Sequence, residues 1–294
     1  MTAALLAAVG WNLAHDVSEM LSYPFMQNAF EAGTVVALAA GIVGYFVVLR
    51  RSAFAAHALS HVGFAGGAGA ALIAVNPLWG LLAFSVGAAA VMGGIGRRLR
   101  ERDVVIGIVL MFALGLGYLF INLYQGSATD VYSILFGQIF GIDRFSVVLS
   151  ASVSLGAVLV LGAIYRPLLF ASVDPEVAEA RRVPVGALNV TFMTLLGLTV
   201  AVAVQIVGVL LIFALLVAPA AAAERLAARP VAAIAASAAI AVGCTWIGLF
   251  LGFYFSPPVS FFITTLATGA YLAARLGSSV AWRGGLRGRR GARS

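Results

Sequence analysis

The sequence contains no lysine at all, one cysteine and very little charge. Only 10% of its 294 residues are charged, against about 25% in an average soluble domain. Each shortage excludes something. Without lysine there can be no phosphate-binding loop of the Gly-Lys-Ser/Thr type. If the chain's work consumes ATP, the nucleotide must bind on another polypeptide. The lone Cys244 excludes an internal disulfide and any Cys-rich metal cluster, and reads as a small buried residue in a helix. The sparse charge leaves too little polar surface to coat a soluble particle.

What is present is apolar. Hydrophobic residues make up 62% of the chain, and the mean hydropathy is +1.05. The 33 glycines, with abundant alanine, suit helices that pack backbone to backbone in lipid. At about 20 residues per crossing, the length accommodates eight or nine spans and little else. The expected fold is therefore all-α: a polytopic membrane protein.

The net charge of +7 comes entirely from arginine. In a soluble protein it would suggest nucleic acid. Here the arginines fall in short loops and the C-terminal tail, where the positive-inside bias accounts for them, so no nucleic-acid partner is expected. Apolar runs predict spans at about Asn28–Leu49, Ala53–Val75, Leu78–Ile95, Val104–Tyr124, Phe145–Tyr165, Val231–Phe253 and Val259–Ala274. The run from Ala187 to Ala223 is too long for one crossing and must fold back near Gln205 to Gly208. A half-apolar segment surrounds Leu135. These spans place Arg50/Arg51, Arg97 to Arg102, Arg166 to Arg182, Arg225/Arg229 and the tail on one side, with the N-terminus outside and the C-terminus cytoplasmic. Arg144 is the exception, at the outer end of a span. The chain divides into an N-terminal extracytoplasmic or interfacial segment (1–24), a membrane domain (25–276) and a basic tail (277–294). No basic residue precedes the apolar run up to Gly10, which argues against a cleaved signal peptide. The segment's His15, Asp16 and Glu19 read as part of an amphipathic helix on the outer face.

An ionisable group inside a membrane costs roughly 2.5–3.5 kcal/mol on insertion scales, so each one needs a reason. His57 and His61 stand out. Spaced i and i+4, they share one helix face with Cβ atoms about 5–6 Å apart. Neutral imidazole is a good ligand for zinc and other transition metals. The alternative is two histidines hydrogen-bonded across helices to serines or carbonyls. Two imidazoles cannot complete a tetrahedral shell, so further ligands must come from another helix, a water or a carboxylate. Asp130, Asp143 and Glu31 are candidates, but each sits near an expected outer boundary and reads more readily as a solvated loop or helix-end residue. The residues between the histidines are Ala58, Leu59 and Ser60, with no carboxylate to activate water, which argues against an intramembrane metalloenzyme. The stretch after the pair, Gly63 to Ala70, is nearly devoid of bulk. It would let helices approach closely or leave space for a pathway.

On the arginine-rich side, Asp174-Pro175-Glu176-Val177-Ala178-Glu179-Ala180-Arg181-Arg182-Val183-Pro184 reads as a short capped helix. Asp174 suits the N-cap, Pro175 the first turn, Glu176 the positive end of the dipole, Arg181 and Arg182 the other end, and Pro184 a stop. Such a helix between two spans could pass force from a soluble motor to the membrane helices.

In their order and spacing, several stretches resemble the permease family of zinc/manganese ABC importers. They are Leu49-Arg50-Arg51 followed by Ala58-Leu59-Ser60-His61, Ile134-Leu135-Phe136-Gly137, and Tyr165-Arg166-Pro167-Leu168 leading to Asp174-Pro175-Glu176. Val207-Gly208-Val209-Leu210-Leu211 and Ala214-Leu215-Leu216-Val217-Ala218-Pro219-Ala220 complete the set. The resemblance implies a transport subunit rather than an enzyme, working as a homodimer in the lipid of the plasma (inner) membrane of a prokaryote. Cytosolic ATP-binding subunits would dock on a coupling helix at about Asp174 to Val183, and an extracytoplasmic metal-binding protein would deliver the ion. No permanently bound cofactor is implied; zinc or manganese (or iron) is cargo. The family pattern commonly reads Gly-Asp-Ala-Leu-Ser-His. Here Ala56-His57 replace Gly-Asp, and loss of the hard oxygen ligand shifts the expected cargo from manganese towards zinc.

Overall fold

A computed structural model describes residues 19–95, 99–124, 137–255 and 257–291. Among them the chain is helical throughout, with no strand. The helices are α1 (Pro24–Leu49), α2 (Ala53–Leu72), α3 (Pro77–Ile95), α4 (Leu99–Leu123), α5 (Arg144–Ala163), α6 (Tyr165–Val173), α7 (Pro175–Ala180), α8 (Val185–Val207), α9 (Val209–Leu226), α10 (Pro230–Tyr254) and α11 (Val259–Gly291). The His15 and Asp16 positions and the segment around Leu135 lie outside the described residues, whereas Glu19 begins a single helical turn at 19–22.

Seven of the described helices are long and apolar enough to cross a membrane: α1, α3, α4 from Asp103, α5, α8, α10 and α11 as far as Gly277. The eight or nine expected from sequence also include α2 and α9. These are helices of 20 and 18 residues, long enough by length alone. The apolarity of α2 is diluted by its two histidines and its glycines. The over-long apolar run is cut at Gly208, which takes φ 85°, ψ 162°, a conformation open essentially only to glycine.

Proximities sort the helix ends into two groups. Near Arg50 meet the end of α1, the end of α6, the start of α8 and Gly93 near the end of α3. At the other end Asn28 Nδ2 donates to the Ile142 carbonyl at 3.1 Å, and Arg144 pairs with Glu31. The arginine-bearing segments at 50–51 and 181–182 therefore share one side, as alternation requires, and Arg144 has a local carboxylate.

Burial orders the bundle. In α1 and α8, 67% and 72% of the apolar window is buried, against 17% in α4, so α1 and α8 form the centre and α4 the periphery. Met111 and Tyr118 on α4 are 77% and 72% exposed, a surface suited to lipid. Hydroxyls in these helices are largely satisfied by the carbonyl one turn earlier, as Thr199 is by Leu195 and Thr245 by Ala241. That local bond is the usual solution where water is scarce.

Candidate metal site on α2

Helix α2 is held against α3 by closely approaching backbones. A Cβ added at Gly66 would overlap the Gly80 carbonyl oxygen, and one at Gly80 would overlap that of Gly66. The small residues after His61 thus serve close helix packing, one of the two uses their composition allowed. Phe120 of α4 covers Gly69, so this half of α2 is fixed on two sides.

The first half of α2 carries the histidines. Its residues Ala55, Ala56, Ala58, Leu59, Ser60 and Val62 are buried, whereas His57 and His61 are half-exposed. The two rings therefore lie on the uncovered stripe of a mostly covered helix. Their centroids are 4.7 Å apart and the planes meet at 80°. Two imidazoles bound to one ion at about 2.0–2.1 Å stand roughly 5 Å apart, centre to centre. At 1.5 Å per residue from Ala53, the pair lies roughly 6–12 Å along the helix from its start.

The alternative reading of the pair, hydrogen bonds across helices, finds no counterpart among the described residues. Among the described residues neither imidazole has a hydrogen-bond partner. Ser60 Oγ turns to its own helix and donates to the His57 carbonyl at 2.7 Å. The neighbour of His57 is instead Phe213 of α9, ring edge to face with centroids 5.3 Å apart. Phe213 continues into a half-exposed stripe of small residues on α9, namely Ala214, Val217, Ala218 and Ala221, which ends at exposed Glu224. Through the His57–Phe213 contact the half-exposed histidines adjoin this stripe. Sequence reading missed Phe213, and no polar signal marked it.

Of the three carboxylates considered as further ligands, Glu31 is engaged by Arg144. Asp143 sits at the N-cap of α5 without a side-chain cap bond. Asp130 lies outside the described residues. Among the described residues, no group of three or more His, Cys, Asp or Glu side chains comes together.

The second sequence feature is α7. Asp174 Oδ1 accepts from the Val177 amide at 3.0 Å, and Pro175 opens the helix as its composition predicted. The helix is shorter than the expected span to Val183. It stops at Ala180, because Arg181 and Arg182 form the closing turn and Arg182 takes a positive φ of 62°. Ala178 is fully buried under this turn, while Glu176, Val177, Glu179, Arg181 and Arg182 are exposed.

Comparison with known proteins fits this geometry. The model of a family described as the ABC 3 transport family matches residues 22–278. The chain belongs to that family. It is 31% identical over 246 residues to a manganese transport system membrane protein, MntC, of Halalkalibacterium halodurans, covering 83% of each chain. With the manganese import system permease protein ScaB of Streptococcus gordonii it shares 33% identity over 235 residues, 80% of this chain and 84% of that one. Among solved structures, PsaBC from Streptococcus pneumoniae in complex with Fab matches with a TM-score of 0.80 and 30% identity. That match covers 89% of this chain and 95% of the other. The protein is accordingly a multi-pass permease of a prokaryotic plasma membrane. It is a transport subunit, and ATP is hydrolysed on a separate subunit of the ABC system.

Proposed function

We propose that this permease imports a divalent transition metal and that His57 and His61 are the ligands the ion meets in crossing. The observation that carries the reading is a pair of half-exposed imidazoles, 4.7 Å apart and without hydrogen-bond partners among the described residues. An incomplete shell suits a transport site, which must release its ion. The remaining ligands come from water or from a second copy of the permease, with which this chain forms a homodimer. The arginine-bearing ends face the cytoplasm, so α7 meets the ATP-binding subunits there. The ion is delivered from the other face by an extracytoplasmic metal-binding protein.

Manganese is the cargo that the names of the relatives support. Zinc is the second reading, favoured by one feature: two imidazoles and no nearby carboxylate among the described residues, a donor set softer than manganese prefers.

Equilibrium binding of manganese and of zinc to the purified permease in lipid nanodiscs tests the site. His57→Ala and His61→Ala should each weaken binding of the cargo metal by about 100-fold, at or beyond the cost of losing a supporting ligand. Unchanged affinity for both metals in both variants removes the assignment.

A further inference from the structure

An arginine at the end of a membrane helix ordinarily reaches for water or lipid phosphate. Arg50 turns inward and is half-buried. Its Nη1 donates to Ser172 Oγ and its Nη2 to Asn189 Oδ1, both at 3.0 Å. The guanidinium carbon lies 5.1 Å from the centre of the Phe192 ring. Asn189 extends the link, since its Nδ2 donates to the Gly93 carbonyl at 2.9 Å. Ser172 Oγ also donates to the Leu168 carbonyl at 2.5 Å, so it is anchored in α6. One side chain thus joins the ends of α1 and α6 to α8, and through Asn189 to α3.

The places of these residues in the chain give the cluster a direction. Ser172 stands two residues before Asp174, the cap of α7. Arg50 stands three residues before Ala53, where α2 begins. The turn between them is tight: the Ser52 amide donates to the Val47 carbonyl at 2.8 Å, and Arg51 takes a positive φ of 53°. A displacement of α7 therefore reaches Ser172 through the backbone, Arg50 through one charge-assisted hydrogen bond, and the start of the histidine helix through a turn with little slack.

We infer that Arg50 is a positioning residue that couples movement of α7 to movement of α2 and its histidine pair. The inference rests on the proposed reading of α7 as the ATPase dock and of His57 and His61 as the metal site. Arginine suits this role better than lysine. Its planar fork holds two acceptors at fixed angles while its face lies on an aromatic ring; an ammonium is a single point charge.

The test uses the whole importer in proteoliposomes, reading metal ions imported per ATP hydrolysed alongside metal affinity and ATPase association. Ser172→Ala removes the link to α6 while leaving the Arg50 contacts with Asn189 and Phe192 in place. Arg50→Lys keeps the charge and loses the fork. Both should lower the ratio by about fivefold, within the range measured for residues on coupling networks, with metal affinity and ATPase association unchanged. Ser172→Thr, which restores a hydroxyl, should restore the ratio. An unchanged ratio in Ser172→Ala and Arg50→Lys overturns the inference. So does loss of metal binding or assembly in Ser172→Ala, which would make the cluster merely structural. Failure of the underlying reading looks different: His57→Ala and His61→Ala would leave uptake intact whatever the Arg50 variants do.

Discussion

At position 57 an imidazole stands where the family pattern commonly has a carboxylate, and the structure leaves that imidazole with no competing partner among the described residues. On the proposed site, the first coordination sphere would differ by one donor atom type, from hard oxygen to borderline nitrogen. His57→Asp should raise the manganese-to-zinc affinity ratio by roughly tenfold, measured by competition binding in nanodiscs. A ratio that stays put would mean that residue 57 does not touch the ion. The pair was legible in the sequence because ionisable side chains in an apolar run are costly and the i, i+4 spacing is unambiguous. Arg50 and Asn189 were not. Arg50 reads as an ordinary stop at the end of a span, and only the fold shows it turning inward to Ser172 and Asn189. Asn189 did offer a signal, as a polar amide two residues into the run that starts at Ala187. Its partners, at positions 50 and 93, are too distant in sequence for any local pattern to find.

Helices were legible where local chemistry sets their ends. The long apolar run divides at Gly208, inside the interval where it had to fold back, because a helix interrupted by φ 85° requires glycine. Helix α7 opens at the predicted cap, where one carboxylate satisfies the Val177 amide, and closes at the two arginines that the sequence placed at its other end, with Arg181 as the C-cap and Arg182 in a left-handed conformation. The same element allows a combined test of sidedness and docking. The one native cysteine is buried, so a Cys244→Ser background is quiet towards thiol reagents. Val177→Cys in that background places a thiol where the native side chain is 45% exposed. It should react with a membrane-impermeant maleimide in inside-out vesicles stripped of ATPase, fail to react in right-side-out vesicles, and lose reactivity when the ATPase is added back. Labelling from the outside would reverse the orientation, and labelling indifferent to the ATPase would detach α7 from docking.

For the molecule as a whole, the division of labour follows from composition. The 294 residues contain no lysine and so no phosphate-binding loop of the Gly-Lys-Ser/Thr type, in keeping with a transport subunit whose ATP is hydrolysed on a separate subunit. The bundle has α1 and α8 as a buried centre, and α2 is fixed against α3 by paired glycines. The histidines and the small-residue face of α9 remain uncovered. Family membership was legible from short stretches in a consistent order. The choice between manganese and zinc was not, because it depends on ligands that two histidines and one chain do not complete. Uptake into proteoliposomes containing the permease, its ATPase and luminal ATP, with the metal-binding protein and manganese or zinc outside, tests the importer reading most directly. Wild type should accumulate the cargo metal in an ATP-dependent manner, and the double variant His57→Ala/His61→Ala should lower the rate by at least about 100-fold with the assembled complex intact. ATP-dependent accumulation at the wild-type rate in the double variant would contradict it.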